Sequence, residues 1–178
     1  MTNIFEQNLK WSNGQSKDDI ALLRSYYSEA AQIQRADESL DKKGVDYVVT
    51  LQSGKNIYID VKRRVAGSSI YWKNKSDPEL AIEIESNEHK TGWLFNLDYL
   101  TDKVLYIFDK ADSDTTVLMD YRKLRTITTE LKDFWSKTFG EKTQKNSNAG
   151  NYYQSKCLFI PVSELKRAFN SPVMLVFN

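Results

Sequence analysis

The chain has 178 residues, of which 40% are aliphatic or aromatic and 28% are charged, and its formal net charge is +1. These values, together with few Gly and Pro residues, predict a soluble globular protein with one domain over residues 1–178. No apolar run is long enough to span a membrane and residues 1–10 lack the pattern of a signal peptide, so we expect a cytoplasmic protein without membrane contact. The single cysteine and single histidine argue against disulfide, zinc-cysteine and histidine-metal sites, and any metal site must therefore use carboxylates, which favour Mg²⁺ or Mn²⁺.

Taken in chain order, the patterns predict an α/β protein with a mixed central β-sheet flanked by helices. Apolar residues at helical spacing predict a first helix from residue 16 to about residue 35. Further predicted elements are a β-hairpin within 44–64, a strand at 80–85, a central buried strand within 102–109, its partner at 117–120, a helix at 121–137, a mobile loop at 140–151, a strand at 157–160, a helix at 163–169 and an apolar segment at 173–177.

The hairpin within 44–64 carries the most informative pattern of the chain. Side chains alternate across a strand, so Asp60 and Lys62 share one face of the second arm. A three-residue loop that ends with Gly54 in a left-handed conformation is a favoured hairpin geometry, and counting outward from it places Asp46 opposite Asp60. Directly opposed residues are about 4.5–5.5 Å apart at Cβ, so the two carboxylates repel each other unless a cation lies between them.

Two carboxylates and a lysine on one sheet face suit a metal site for phosphodiester cleavage. Carboxylate oxygens hold Mg²⁺, which lowers the pKa of a bound water, and Lys62 can stabilise charge on the attacked phosphate or orient the water. The acid-x-Lys tripeptide occurs five times in the chain, but only the copy at Asp60 follows a β-branched and aromatic run with another strand-borne acid upstream. A surface hairpin whose charged face is merely solvated accounts for the same residues, and that alternative stays open.

These residues resemble the PD-(D/E)XK nuclease superfamily, whose core has an opening helix, a strand bearing Asp and a neighbouring strand bearing Asp/Glu-x-Lys. The matching residues are Asp46 and the run Asp60-Val61-Lys62, while Val45 stands where the family name has Pro. The resemblance implies a restriction-endonuclease-like core and Mg²⁺-dependent cleavage of DNA, with Mn²⁺ able to replace Mg²⁺. It further implies catalytic roles for Asp46, Asp60 and Lys62, with the Val61 carbonyl as an added metal ligand.

The resemblance also implies an additional acid on or after the first helix, for which Glu29 and Glu38 are both candidates. The DNA backbone would be positioned by basic residues, namely Arg63, Arg64, Lys73 and Lys156. Two-fold symmetric cutting would require a homodimer. The alternatives are a nucleic-acid-binding protein that keeps the nuclease fold without cleaving, and a structural protein in which the hairpin acids are incidental.

Overall fold

The computed structural model describes residues 16–64, 76–86, 90–108, 115–148 and 151–169. None of the helices in this part of the chain has the length and apolar character needed to cross a membrane. In chain order the elements are helix α1 (16–26), β1 (Ala30–Arg35), α2 (Glu38–Asp41), β2 (Tyr47–Leu51), β3 (Asn56–Arg64), β4 (Glu79–Ser86), β5 (Lys90–Thr91), a 3₁₀ helix (Trp93–Phe95), β6 (Lys103–Phe108), β7 (Thr115–Asp120), α3 (Tyr121–Phe139), β8 (Glu141–Asn148), β9 (Asn151–Pro161) and α4 (Val162–Phe169).

The first sheet is mixed and has five strands in the order β1-β2-β3-β6-β7. Strands β3 and β6 are parallel, and every other neighbouring pair in this sheet is antiparallel. The apolar run Val104–Phe108 is buried throughout, as the sequence predicts for a central strand covered on both faces. The predicted strand β6, its partner β7 and the helix α3 are therefore confirmed.

Each face of the first sheet packs against a different layer. On one face, α1 covers a core that consists of Leu23, Ala30, Ile33, Tyr47, Val49, Ile59, Leu105, Ile107 and Leu118. On the other face, β4, β9, α3 and α4 form a larger core with alternate residues of β6 and β7, including Val104, Tyr106, Val117 and Met119. The side chains of β3 that carry the predicted site point to this second face.

A second sheet, antiparallel with the order β5-β4-β9-β8, was not predicted. Residues 140–151 were expected to form a mobile loop, and this prediction is wrong, since Glu141–Asn148 pairs with β9. The polar composition of residues 140–151 gave the wrong prediction, because an edge strand with few apolar residues shows no alternation of apolar and polar side chains. The predicted segment 173–177 lies outside the described residues.

The first helix is also shorter than predicted, because it ends at residue 26 and residues 30–35 form β1. Ala30 and Ile33 were assigned to the helix because they are three residues apart. In the structure both are buried on one face of β1, since the register of the β1–β2 pair shifts between Ala30 and Gln32. Such a bulge gives a strand a local spacing of three that imitates a helix.

The β2–β3 hairpin has the predicted register. Gly54 has a φ of +81°, and the N–H of Leu51 donates to the carbonyl of Lys55 at 2.9 Å. Tyr47 pairs with Ile59, and the next position outward sets Asp46 against Asp60. The prediction that Gly54 fixes this alignment is confirmed.

Two glycines at the ends of this hairpin provide a matched test of the fold. We expect Gly54→Ala to lower the free energy of unfolding by about 1 kcal/mol, because its φ is left-handed but nothing lies within 4 Å of an added methyl. Gly44→Ala should lower the free energy of unfolding by about 1–3 kcal/mol more than Gly54→Ala does, since its added Cβ would lie 2.3 Å from the Tyr99 ring. Urea unfolding measures both changes, and equal losses would contradict the packing of Tyr99 on Gly44.

Candidate functional site

Asp46 and Asp60 come together where β2 begins beside the middle of β3. The backbone N–H of Asp46 donates to the carbonyl of Ile59 at 2.8 Å, which continues the hairpin one residue beyond the strand. The N–H of Val61 then donates to Oδ2 of Asp46 at 2.7 Å. The first carboxylate is thus held against the backbone of the strand that bears the second.

Lys62 completes the predicted trio and binds Asp60 directly. Its Nζ lies 2.7 Å from Oδ1 of Asp60, whose side chain is 2% exposed, while that of Lys62 is 32% exposed. The ammonium also lies 5.2 Å from the centre of the Trp93 ring, a distance typical of a cation–π contact. The lysine therefore forms one wall of the site and keeps a path to solvent.

The charges of the three side chains do not balance. Burial and then the nearby charge of Asp60 raise the pKa of Asp46 to about 6, although Lys62 and the Val61 N–H act in the opposite direction. Burial by itself would lower the pKa of Lys62, but the charges of Asp60 and Asp46 outweigh this effect and raise it. Two carboxylates facing one ammonium leave the site with excess negative charge near neutral pH.

One carboxylate oxygen of the site lacks a hydrogen-bond donor among the residues that the structure describes. In the described part of the chain, the buried Oδ2 of Asp60 accepts no hydrogen bond while Asp46 is ionised. A protonated Asp46 carboxyl hydrogen-bonds to the Asp60 side chain, which also raises the pKa of Asp46. A buried charged atom that lacks a partner costs free energy unless a donor or a cation satisfies it. This oxygen therefore fits the ligand set expected for Mg²⁺, which binds one or two carboxylates and keeps several waters.

The backbone carbonyl of Val61 lies on the same side of β3 as the carboxylate of Asp46. In a strand the N–H and C=O of one residue point toward the same neighbouring strand, and the Val61 N–H meets Asp46. Asp46, Asp60 and Val61 would thus supply oxygen ligands from one side. No group of three or more acidic, histidine or cysteine side chains suited to a metal ion occurs among the described residues, so neither Glu29 nor Glu38 forms such a group with Asp46 and Asp60.

The two candidates for a third acid both face solvent. Glu29 is exposed in the turn between α1 and β1 and does not lie on the helix to which it was assigned. Glu38 lies in α2, where its carboxylate pairs with Lys42 at 2.6 Å and its side chain is 83% exposed. The carboxylate whose charge acts on Asp46 is Asp60.

The buried acid of α1 is Asp19, which the sequence reasoning missed. Its Oδ1 accepts from the guanidinium of Arg63 at 2.6 Å, and its Oδ2 accepts from the hydroxyl of Tyr47 at 3.1 Å. This ion pair lies on the α1 side of the sheet, opposite the candidate site, and the Arg63 side chain is only 11% exposed. The charge of Arg63 is thus paired within the protein, and a contact of this residue with nucleic acid stays a prediction.

The other predicted basic contacts differ in position. Lys73 lies outside the described residues. Lys156 is on β9, where it forms an ion pair with Glu141 and keeps 47% of its side chain exposed. Arg64 shares the face of β3 that carries Asp60 and Lys62.

Aromatic residues that the sequence did not single out support the site. The Tyr99 ring packs on Gly44, two residues before Asp46. The Tyr121 hydroxyl lies 2.9 and 3.1 Å from the carbonyl oxygens of Trp93 and Leu94, and so fixes the 3₁₀ helix that presents Trp93 to Lys62. Both contacts join residues far apart in the chain, so no local spacing could have revealed them.

Comparison with known proteins gives no relative: no protein-family model, curated protein or solved structure matches the chain. The site must therefore be interpreted from its own residues. The resemblance to the PD-(D/E)XK nucleases stays a prediction based on Asp46 and the run Asp60-Val61-Lys62.

The raised pKa of Asp46 predicts how stability depends on pH. In the metal-free protein the folded state holds the Asp46 proton up to pH of about 6 and the unfolded state only up to about 4, so the wild type loses stability as the pH rises between these values. Asp46→Asn removes this loss and keeps an acceptor for the Val61 N–H. We expect the variant to be more stable than the wild type by about 1–3 kcal/mol at pH 8 and by little at pH 4.

Urea unfolding at several pH values in EDTA measures this difference. Asp133→Asn, which neutralises an exposed acid on α3, serves as the control and should not change the pH dependence. A constant difference between Asp46→Asn and the wild type across the pH range would show that Asp46 does not titrate as described.

Proposed function

We propose that this protein is a Mg²⁺-dependent deoxyribonuclease that hydrolyses phosphodiester bonds at the Asp46, Asp60 and Lys62 site. The observation that carries the proposal is the convergence of these side chains on one sheet face with a buried carboxylate oxygen of Asp60 left unsatisfied. A solvated surface hairpin would not bury Asp60 to 1% exposure. The burial therefore favours a functional site over incidental surface charge.

The order of elements supports the resemblance to a restriction-endonuclease-like core. Helix α1 precedes the Asp46 strand, and the Asp-x-Lys strand lies next to it in the sheet. The order of elements differs from that of the nuclease core between β3 and β6. There the described residues form β4, β5 and a 3₁₀ helix rather than a longer helix. The shared part is thus the hairpin and the helix before it.

The residues of the site have two separate roles in the proposed hydrolysis, metal binding and stabilisation of negative charge. Asp46, Asp60 and the Val61 carbonyl would hold Mg²⁺, whose binding supplies a positive charge near the phosphate and an acidified water. The raised pKa of Lys62 keeps its ammonium protonated at neutral pH. Lys62 therefore stabilises negative charge on the attacked phosphate and does not act as the base that deprotonates water.

Mutation of Lys62 tests the proposal against a closely matched lysine. Lys103 on β6 pairs with Asp120 at 3.1 Å and has a side chain that is 34% exposed, but it lies on the α1 side of the sheet. With supercoiled plasmid, single-stranded DNA and RNA as substrates, we expect Lys62→Met to lower the rate of DNA cleavage about 100-fold or more. Lys103→Met should stay within about 3-fold of the wild type, because the lost pair is exposed and remote from the site.

Metal dependence gives a second readout. We expect EDTA to abolish cleavage, and Mn²⁺ to raise the melting temperature of the wild type but not of Asp46→Asn or Asp60→Asn, since metal binding stabilises only the folded state that binds it. Equal rates for Lys62→Met and Lys103→Met, or cleavage that persists in EDTA, would refute the catalytic role. Retention of DNA without cleavage by the wild type would favour a non-cleaving nucleic-acid-binding protein instead.

A further inference from the structure

Arg64 is a partly buried cation that forms no ion pair with an acid in the described part of the chain. Its neighbour Arg63 pairs with Asp19, whereas no carboxylate among the described residues forms an ion pair with Arg64. Nη1 of Arg64 is buried and donates no hydrogen bond to any residue that the structure describes. A buried guanidinium donor in this state costs free energy until an acceptor reaches it.

The Arg64 guanidinium is nevertheless held in a defined place. It lies 5.2 Å from the centre of the Phe159 ring on β9, and it lies close enough to the Tyr106 hydroxyl on β6 for its charge and hydrogen bonding to lower the pKa of that hydroxyl, against the larger effect of burial. These contacts come from two strands of different sheets, so they fix the plane of the guanidinium without neutralising its charge. The remaining donors are oriented in advance for an anion.

A second cation shares the same aromatic ring. Nζ of Lys142 on β8 lies 4.9 Å from the centre of the Phe159 ring, and no carboxylate in the described part of the chain pairs with it. Two like charges beside one ring repel each other unless an anion lies with them. Glu83 is an acid of the same region: burial raises the pKa of Cys157 to about 12, the charge of Glu83 raises it further, and the charge of Arg64 lowers it.

We propose that Arg64 and Lys142, arranged around Phe159, bind a backbone phosphate of DNA next to the hydrolytic site. This inference rests on the proposed function for the identity of the anion. Alternate residues of a strand are about 6.6 Å apart, so Arg64 lies one such step beyond Lys62 and two beyond Asp60 on the same face of β3. A backbone that continues from the cleaved bond along β3 reaches this pair, and the planar guanidinium suits two oxygens of one phosphate.

The test measures binding of a fluorescently labelled single-stranded DNA in EDTA, where no metal-dependent cleavage occurs. We expect Arg64→Gln to weaken binding about 10-fold or more at low salt, as expected for loss of a charged hydrogen bond. Arg64→Gln and Lys142→Gln should each weaken the salt dependence of binding. The slope of log affinity against log salt should become less negative by about 0.7, the value for one phosphate contact on a single strand. Lys55→Gln, at the opposite end of β3 in the hairpin turn, is the matched control and should keep the wild-type slope.

Arg64→Met separates binding from folding. It keeps the packing of the stem on Phe159 and removes the unpaired donor, so its melting temperature should equal or exceed that of the wild type while its DNA affinity falls. Unchanged affinity and slope in the Arg64 and Lys142 variants, equal losses in Lys55→Gln, or no DNA binding by the wild type would overturn the site. Because the binding assay contains no metal, the proposed hydrolysis can be refuted without affecting this phosphate site. If the wild type cleaves DNA but the Arg64 and Lys142 variants bind it as the wild type does, only this phosphate site is refuted.

Discussion

The alternation of side chains along β3 is the constraint on which the fold and the site both depend. Residues 59, 61 and 63 point toward α1, while Asp60, Lys62 and Arg64 point toward the second face. Since β3 is paired with β2 on one side and with β6 on the other, a slip of one residue would exchange the two faces and break both ladders. The buried Asp19–Arg63 pair fixes the alternation from the α1 side, so a contact that takes no part in the chemistry keeps the opposite face in place.

Local patterns were sufficient to predict this hairpin and the central strand. Gly54 and the residues around it specify a turn, and the turn determines which side chains face each other across the two arms. The second sheet could not be predicted in the same way, because β4 pairs with β9, which is about seventy residues later in the chain. The strand β1 was not predicted for another reason, because its bulge gave Ala30 and Ile33 a helical spacing.

The same distinction applies to the candidate site. Asp46, Asp60 and Lys62 follow from hairpin register, so sequence reasoning could bring them together. The pairing of Arg63 with Asp19 depends on how α1 packs against the sheet, and the contact between Lys62 and Trp93 depends on a 3₁₀ helix thirty residues away. Such tertiary contacts decide which of several adjacent charges remain available for a ligand, and no local spacing reports them.

The distribution of unsatisfied groups is the strongest physical argument that this face of β3 binds something. Three buried side-chain atoms lack a hydrogen-bond partner in the described part of the chain, and two of them, Asp60 Oδ2 and Arg64 Nη1, belong to charged groups on one face of one strand. The third is the neutral hydroxyl of Thr128 on α3. Folding alone gives no reason to leave buried atoms of charged groups without hydrogen-bond partners, and sequences keep such violations mainly where function requires them.

The two charged atoms also call for opposite partners. The carboxylate oxygen of Asp60 needs a cation or a donor, whereas the guanidinium of Arg64 needs an acceptor. A phosphodiester chain accompanied by a divalent cation satisfies both at once, since the cation meets the acids and an adjacent phosphate meets the arginine. A simple anion or a simple cation would satisfy only one of them, so the two opposite deficits fit the proposed phosphodiester substrate better than a small ion of either sign.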